Sequence, residues 1–384
     1  MINLAKQIIP GQMIGIIGGG QLGRMMAIAA KQMGYYVAVV DPTPDSPCGQ
    51  LADVEIVANY DDLEAIKRLA EISDVVTYEF ENIDYEALTW LENHANLPQG
   101  SELLKITQDR GTEKAAITSI GGVVAPYVLV NSVESLKEGT EKLGFPCVLK
   151  TRRGGYDGKG QYVLKAMDDI ENALSVLNQG ACILESWVDF ELEVSVIVVR
   201  NPSGEVKTFP VAENIHHENI LHQTIVPARI SASVEQKAIK EAVQLAEELG
   251  LVGTLAVEMF VTHDGEVFIN ELAPRPHNSG HYTIDACETS QFTQHVRAIC
   301  NLPLAETTLL SPVVMINLLG EHMEPITAKL LEHVVGNLHL YGKKEAKVKR
   351  KMGHINVLGN TVEEAIAKIE QIDIWTNVKE KIGG

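Results

Sequence analysis

Residues 147–161 read Cys147-Val-Leu-Lys-Thr-Arg-Arg-Gly-Gly-Tyr-Asp-Gly-Lys-Gly-Gln161. An apolar strand delivers Lys150 at its end. A loop with four glycines follows, carrying Arg152, Arg153 and Lys159, and a second strand returns at 161–164. Phosphoryl transfer needs neutralised oxygens and excluded water. A glycine-rich flap with backbone N–H groups and cations supplies both. The stretch lacks the G-x-x-x-x-G-K-[ST] spacing of a P-loop. Its plain alternative is an exposed basic hairpin, but glycines and cations occurring together favour a phosphate cradle.

A second hairpin lies downstream. Strand-like runs at 254–261 and 266–272 flank Asp264-Gly265, a strong turn signal. A two-residue turn there pairs His263 with Glu266, Thr262 with Val267 and Val261 with Phe268, which sets Glu258 opposite Glu271. Two facing carboxylates repel, and their neighbours Leu255, Val257, Phe260, Val267, Phe268 and Ile269 are apolar. A divalent cation removes the conflict, and hard oxygen ligands suit Mg²⁺ bridging nucleotide phosphates. A solvated acidic face, or a register shifted by one, is the competing reading. Strict alternation points Asn270 away from Glu271 unless a bulge intervenes.

Towards the N-terminus, residues 13–41 read strand, glycine turn, helix, strand. Further short strands at 54–58 and 74–78 and helices at 62–71 and 85–94 extend this into a parallel α/β sheet. Gly18, Gly20 and Gly23 fit G-x-G-x-x-G: a tight turn, an approach for a phosphate or polar group, and close helix–strand packing. Asp41 ends the second strand, where nicotinamide enzymes carry a ribose-binding acid. A nicotinamide-dependent dehydrogenase is therefore a rival, but it leaves the flap and the paired acids unexplained.

The middle of the chain predicts helices at 108–120 and 234–249 and strands at 182–187, 193–200 and 206–211. A basic stretch at 343–351 and a helix at 361–371 follow. Adjacent His216 and His217 on a strand face opposite ways and cannot readily share one ion. Cys48 has no visible base partner and reads as inert; Met25, Met26 and Met33 read as helix core.

The chain has 384 residues, enough for two or three domains, with 32 Lys and Arg against 51 acidic residues and a net charge of -19. Such a surface repels phosphate backbones, so no nucleic acid is expected as a partner. Five cysteines without a C-x-x-C pair point to a reducing compartment. With no signal-peptide pattern and no long apolar run, the expectation is a cytoplasmic protein with no membrane partner.

Taken together, Lys150, the flap, Glu185-Ser-Trp-Val188, Glu193 and Glu258…Asn270-Glu271 resemble the ATP-grasp superfamily. Five blocks narrow this: Gly18-Gly-Gly-Gln-Leu-Gly-Arg24, Tyr78-Glu-Phe-Glu-Asn82, Gly154-Gly-Tyr-Asp-Gly-Lys-Gly-Gln161, Asn270-Glu-Leu-Ala-Pro-Arg-Pro-His-Asn-Ser-Gly-His281, and Tyr341-Gly-Lys343 with Arg350-Lys-Met-Gly-His354. In this order they are similar to the N5-carboxyaminoimidazole ribonucleotide synthases. The resemblance implies an α/β and α+β fold: a Rossmann-like pre-ATP-grasp domain at 1–108, an ATP-grasp domain at 109–305 with a flap subdomain near 120–185, and a small β-rich C-terminal domain at 306–384.

The resemblance also implies a carbon–nitrogen ligase that uses ATP, Mg²⁺ and bicarbonate to carboxylate 5-aminoimidazole ribonucleotide, and a homodimer. It assigns Arg110 and Lys150 to the ATP phosphates, with Gly155, Tyr156, Asp157, Gly158, Lys159, Gly160 and Gln161 closing over them. Glu185, Ser186, Trp187 and Val188 line the adenine pocket, Glu193 binds ribose, and His216 is another nucleotide contact. Glu258 and Glu271 hold Mg²⁺, with Asn270 alongside. Gln21, Leu22, Glu79, Tyr156, Asp157, Asn278, Lys343, Arg350 and Lys351 surround the ribonucleotide. Arg275 and His277 sit near bicarbonate, and Asp157 orients or deprotonates the attacking amine. Lys347-Val-Lys349 departs from an expected Pro-Gly turn, which bears on the loop shape. Formate-dependent glycinamide ribonucleotide transformylase is the nearest alternative within the same architecture, and a non-catalytic nucleotide-binding module is a third.

Overall fold

In the computed structural model, which describes residues 6–155, 158–331 and 336–375, four apolar runs form the first sheet. They pair in parallel in the order Val54–Val57, Tyr36–Asp41, Met13–Ile17, Val75–Tyr78. Both faces of these strands must be covered, which is why the inner ones read as near-continuous hydrophobic runs. The helix Gln21–Gln32 covers one face with Met25, Met26, Ala27, Ala29 and Ala30. Gly23 lets that helix approach its strand, because a Cβ there would lie 2.5 Å from the Gly18 carbonyl oxygen. Gly23→Ala is expected to destabilise the protein by about 1–3 kcal/mol as the helix is pushed off the sheet. A chemical denaturation midpoint equal to that of the parent would contradict this.

A second, antiparallel sheet runs Tyr127–Val130, Cys182–Ser186, Cys147–Thr151, Gln161–Leu164. The helices Val133–Leu143 and Ile170–Leu177 pack their apolar sides onto it through Leu136, Ile170, Ala173 and Val176. The strands Cys147–Thr151 and Gln161–Leu164 are the two arms of the glycine flap.

The third sheet has nine strands among the described residues. Its path is Val267–Ala273, Gly253–Thr262, Phe190–Arg200, Ala212–His217, Ile220–Val226, Val313–Leu319, Lys351–Leu358, Asn337–Leu340, with Val206–Thr208 beside Phe190–Arg200. The C-terminal strands therefore continue the central sheet instead of building a separate one. Val313–Leu319 explains this: nearly every residue in it is buried, so it needs a partner along each edge.

Ser231 caps the long helix Ala232–Glu248, accepting from the Val234 N–H, and that helix covers one face of the sheet. The helix Gln291–Ile299, which hydrophobic spacing had not singled out, inserts Phe292, Val296 and Ile299 into the core of the first sheet and ties the units together. Among the described residues, no helix is long and apolar enough to cross a membrane.

Candidate active site

A cavity of about 650 Å³ opens between the three sheets. The paired acids stand at one end, and the register that places them differs from the simple count. The hairpin turn holds three residues, His263 to Gly265: the Thr262 N–H donates to the Glu266 carbonyl at 3.0 Å, and Gly265 takes φ +80°. Val261 therefore faces Val267, and Phe260 faces Phe268, which corrects the two-residue turn. A bulge between Glu258 and Met259 then slips the ladder by one, with Asn270 the extra residue on the return strand. The two shifts cancel, and Glu258 faces Glu271.

The same bulge turns Asn270 to the cavity beside Glu271, so the strict-alternation expectation fails there. Lys114 secures the bulge from behind. Its Nζ donates to the Asn270 carbonyl at 2.8 Å and lies 3.4 Å from that of Ile269.

Charge is arranged around this pair. Arg110 Nη1 donates to Glu271 Oε2 at 3.1 Å. Burial raises the Glu271 carboxyl, but Arg110 outweighs it and holds the group below its usual value. Glu258 Oε1 lies 3.3 Å from His277 Nε2, with His216 and Lys351 as weaker positive neighbours. Its carboxyl is pushed up to about 7, first by burial and then by the charge of Glu271. The Asn270 Oδ1 is buried without a hydrogen-bond partner among the described residues. Two hard carboxylates, one under-compensated, and an orphaned amide oxygen fit a magnesium ion.

Lys150 Nζ donates to Glu185 Oε2 at 2.6 Å, and Lys114 lies 3.6 Å from Oε1. Burial opposes ionisation of Glu185, but these two lysines hold it down to about 2. Glu185, Ser186, Trp187 and Val188 edge the cavity, with Ala125, Val148 and Phe190 as apolar walls suited to a flat base. His216 Nδ1 lies 3.1 Å from Glu193 Oε2. Burial lowers the imidazole, but Glu193 overrides it and leaves His216 above its usual value. His217 beside it is exposed, as alternation requires.

In the flap, Gly154, Gly158 and Gly160 take φ of +76°, +77° and +69°, values that only glycine adopts without strain. Gly155, Gly158, Lys159 and Gln161 line the cavity, whereas Gly160 packs against Thr151. Tyr156 and Asp157 lie outside the described residues. Arg152 and Arg153 are both engaged by Asp109. Arg152 donates to Asp109 Oδ1 at 3.0 and 2.7 Å, and Arg153 approaches Oδ2 at 3.4 Å. Asp109 also caps the helix Arg110–Ser119, so the flap is rooted on the helix that presents Arg110.

At the far end the first sheet contributes Gln21, Leu22 and Glu79. The N–H groups of the glycine turn do not wait for a phosphate: Gly20 and, at 2.6 Å, Gly23 donate to the Glu79 carboxylate. Asp41 likewise turns inward, accepting from Gly19 at 2.7 Å and from the Tyr60 hydroxyl at 2.6 Å. Neither is available for a nicotinamide dinucleotide, which removes the dehydrogenase reading.

Arg275 Nη2 meets Glu81 Oε1 at 2.7 Å. Asn278 shares reciprocal amide bonds of 3.0 and 2.8 Å with Asn317. Lys351 lines the cavity. Lys343 donates to the Lys351 carbonyl at 2.7 Å and is lowered to about 8 by burial and then by Arg350. Arg350 is exposed, outside the cavity lining, and donates to the Glu345 carbonyl at 3.1 Å. The departure before it has a visible consequence. Lys349 holds a turn position at φ +64°, where a glycine sits more easily.

Glu81, Glu113 and Lys114 belong to the site but were not singled out from the sequence. The spacing Arg110, Glu113, Lys114 on one helix was the available signal. Glu113, buried and close to Glu271, is pushed up to about 8 while accepting from the Leu272 N–H at 2.7 Å.

Family models match along the chain: a ribonucleotide synthetase preATP-grasp domain at 12–108, an ATP-grasp domain at 115–292, and a phosphoribosylaminoimidazole carboxylase C-terminal domain at 313–368. N5-carboxyaminoimidazole ribonucleotide synthase of Bacillus subtilis is 62% identical over 377 residues, covering 97% of this chain and 98% of its own. Among solved structures, an ADP complex of an N5-carboxyaminoimidazole ribonucleotide synthetase superposes with a TM-score of 0.95 at 64% identity, over 97% of this chain and 99% of that one. An Aspergillus clavatus synthase solved with ADP and 5-aminoimidazole ribonucleotide gives 0.89 at 32% identity, over 96% and 99%. The chain belongs to the N5-carboxyaminoimidazole ribonucleotide synthase family of ATP-grasp enzymes.

Proposed function

We propose that this chain carboxylates the amine of 5-aminoimidazole ribonucleotide, consuming ATP and bicarbonate, as a step of purine synthesis. The observation that carries the reading is the facing pair Glu258 and Glu271, with Asn270 turned in beside it, in a cavity that runs from Lys150 and Lys159 at the flap to Lys351, with Lys343 outside the lining.

A bicarbonate oxygen attacks the γ-phosphorus of ATP, the bond to ADP breaks, and carboxyphosphate forms. Magnesium held by Glu258 and Glu271 would offset the negative charge on the phosphate oxygens. Lys150, at the root of the flap, and Arg110 add cations on the same oxygens. The flap keeps water from the mixed anhydride, which would otherwise hydrolyse. Glu193 and His216 hold the nucleotide ribose, while Arg275 and His277 orient the carboxyl donor. The exocyclic amine then attacks the carboxyl carbon, phosphate leaves, and the amine gives up a proton, for which Asp157 is the assigned acceptor. Lys343 and Lys351 give an acidic protein the local positive charge that a ribonucleotide phosphate needs.

The five cysteines are free and buried, which suits a reducing cytoplasm. A homodimer belongs to the same reading on family membership alone, and light scattering would then give twice the mass of one chain.

The test is an ADP-release assay in which bicarbonate, aminoimidazole ribonucleotide, formate and glycinamide ribonucleotide are varied separately. Release is expected to depend on the first two together. Turnover supported by formate with glycinamide ribonucleotide, and not by the first pair, would replace this reading with a formyl transfer.

A further inference from the structure

Behind His277 lies a run of short polar side chains that none of the steps above uses. Ser195, Asn214 and Thr224 sit on three neighbouring strands in the middle of the large sheet, where a covered face is ordinarily apolar. Thr224 is the cross-strand partner of Asn214, and Ser195 that of Glu258. Ser279, in the short turn Asn278–Gly280, lies over them, and all four are buried.

Their bonds form one chain. Thr224 Oγ1 donates to Asn214 Oδ1 at 3.0 Å, Asn214 Nδ2 to Ser195 Oγ at 2.9 Å, and Ser195 Oγ to Ser279 Oγ at 2.8 Å. Ser279 Oγ lies 2.9 Å from His277 Nδ1.

Each hydroxyl has a single proton to give, so one direction propagates through every link. With Ser195 donating to Ser279, the Ser279 proton goes to His277 Nδ1. The reverse order would need a proton on Nδ1. The far end of the chain opposes that as well, because the Ser279 backbone N–H also points at Nδ1, at a longer 3.3 Å, and a backbone donor cannot reverse. Two donors converging on one nitrogen require its lone pair. The ring proton then resides on Nε2, the atom facing Glu258.

We propose that Thr224, Asn214, Ser195 and Ser279 form a directional hydrogen-bond relay that holds His277 as its Nε2–H tautomer, so that His277 enters the cavity as a hydrogen-bond donor and not as a base. The four are positioning residues: none of them lines the cavity, and they act through the histidine. In the carboxylation reading, on which this role rests, the Nε2–H is the group offered to an anionic oxygen beside the paired glutamates. A base at that position would compete for the proton of bicarbonate and misplace the attacking oxygen.

The experiment is nitrogen NMR of the histidine rings in the full-length chain, with His277 assigned by the signal lost in His277→Gln. The expected result is an unprotonated Nδ1 and a protonated Nε2. A protonated Nδ1, or an average of both tautomers, overturns the relay. Ser279→Ala is expected to mix the tautomers and lower kcat about three- to tenfold, the worth of one hydrogen bond, while KM for ATP stays within about twofold. Unchanged kcat and an unchanged tautomer in a folded Ser279→Ala would also overturn it. The spectrum of the unaltered protein decides the matter even if the variant does not fold. It also needs no substrate, so failure of the relay and failure of the carboxylation reading are separately visible.

Discussion

Glu271→Gln is expected to abolish ATP turnover and leave the fold intact, with a loss on the order of 10²–10³-fold or more in kcat. The carboxylate is kept ionised by Arg110 against the pull of burial, so its charge is present at neutral pH to balance a cation. Glutamine keeps the shape and an oxygen that still accepts from Arg110 Nη1, now 3.1 Å away. What disappears is the negative charge, and with it half of the acidic pair that suits magnesium. ADP release should fall towards background while circular dichroism and the thermal transition stay close to those of the parent. Undiminished Mg-ATP turnover would refute the metal assignment.

Lys114→Met should have the largest effect on stability, a loss of about 3–5 kcal/mol, as for breaking a buried ion pair from one side. The lysine side chain is 1% exposed, and its ammonium has three neighbours: the carbonyls of Asn270 and Ile269 and the carboxylate of Glu185. Burial lowers its proton affinity, which Glu185 partly restores. Methionine fills the volume but leaves two carbonyls of the bulge without their donor and Glu185 with Lys150 alone. Without that clamp the ladder can relax towards the unbulged register, which turns Asn270 away from Glu271. Activity should therefore fall together with stability. A denaturation midpoint equal to that of the parent would show that Lys114 bears no such load.

The lysine at the strand end, the glycine flap and the opposed glutamates were legible because each rests on local counting: period two in a strand, turn residues at a known spacing, glycines beside cations. The helix expected at 85–94 forms at Tyr85–His94, where Asp84 caps the Ala87 N–H, a signal contained in a few adjacent residues. Glu258 opposite Glu271 was reached through a turn one residue too short and a ladder without its bulge, two errors of opposite sense. Lys114 was missed because its partners, Glu185 and the carbonyls of Ile269 and Asn270, lie far from it along the chain.

What the chain settles by itself is the set of chemical groups and their local geometry: a cationic flap root, a carboxylate pair among apolar neighbours, a glycine turn able to take a close contact. Those follow from side-chain chemistry and backbone periodicity over a few residues. Tertiary structure decides what each group meets. The glycine turn is closed by Glu79, Arg152 is drawn to Asp109, the C-terminal strands complete a sheet begun more than a hundred residues earlier, and a line of hydroxyls reaches His277. The physical reason is that hydrogen-bond and charge partners inside a folded protein are chosen by proximity in space, through burial that no short window of sequence contains.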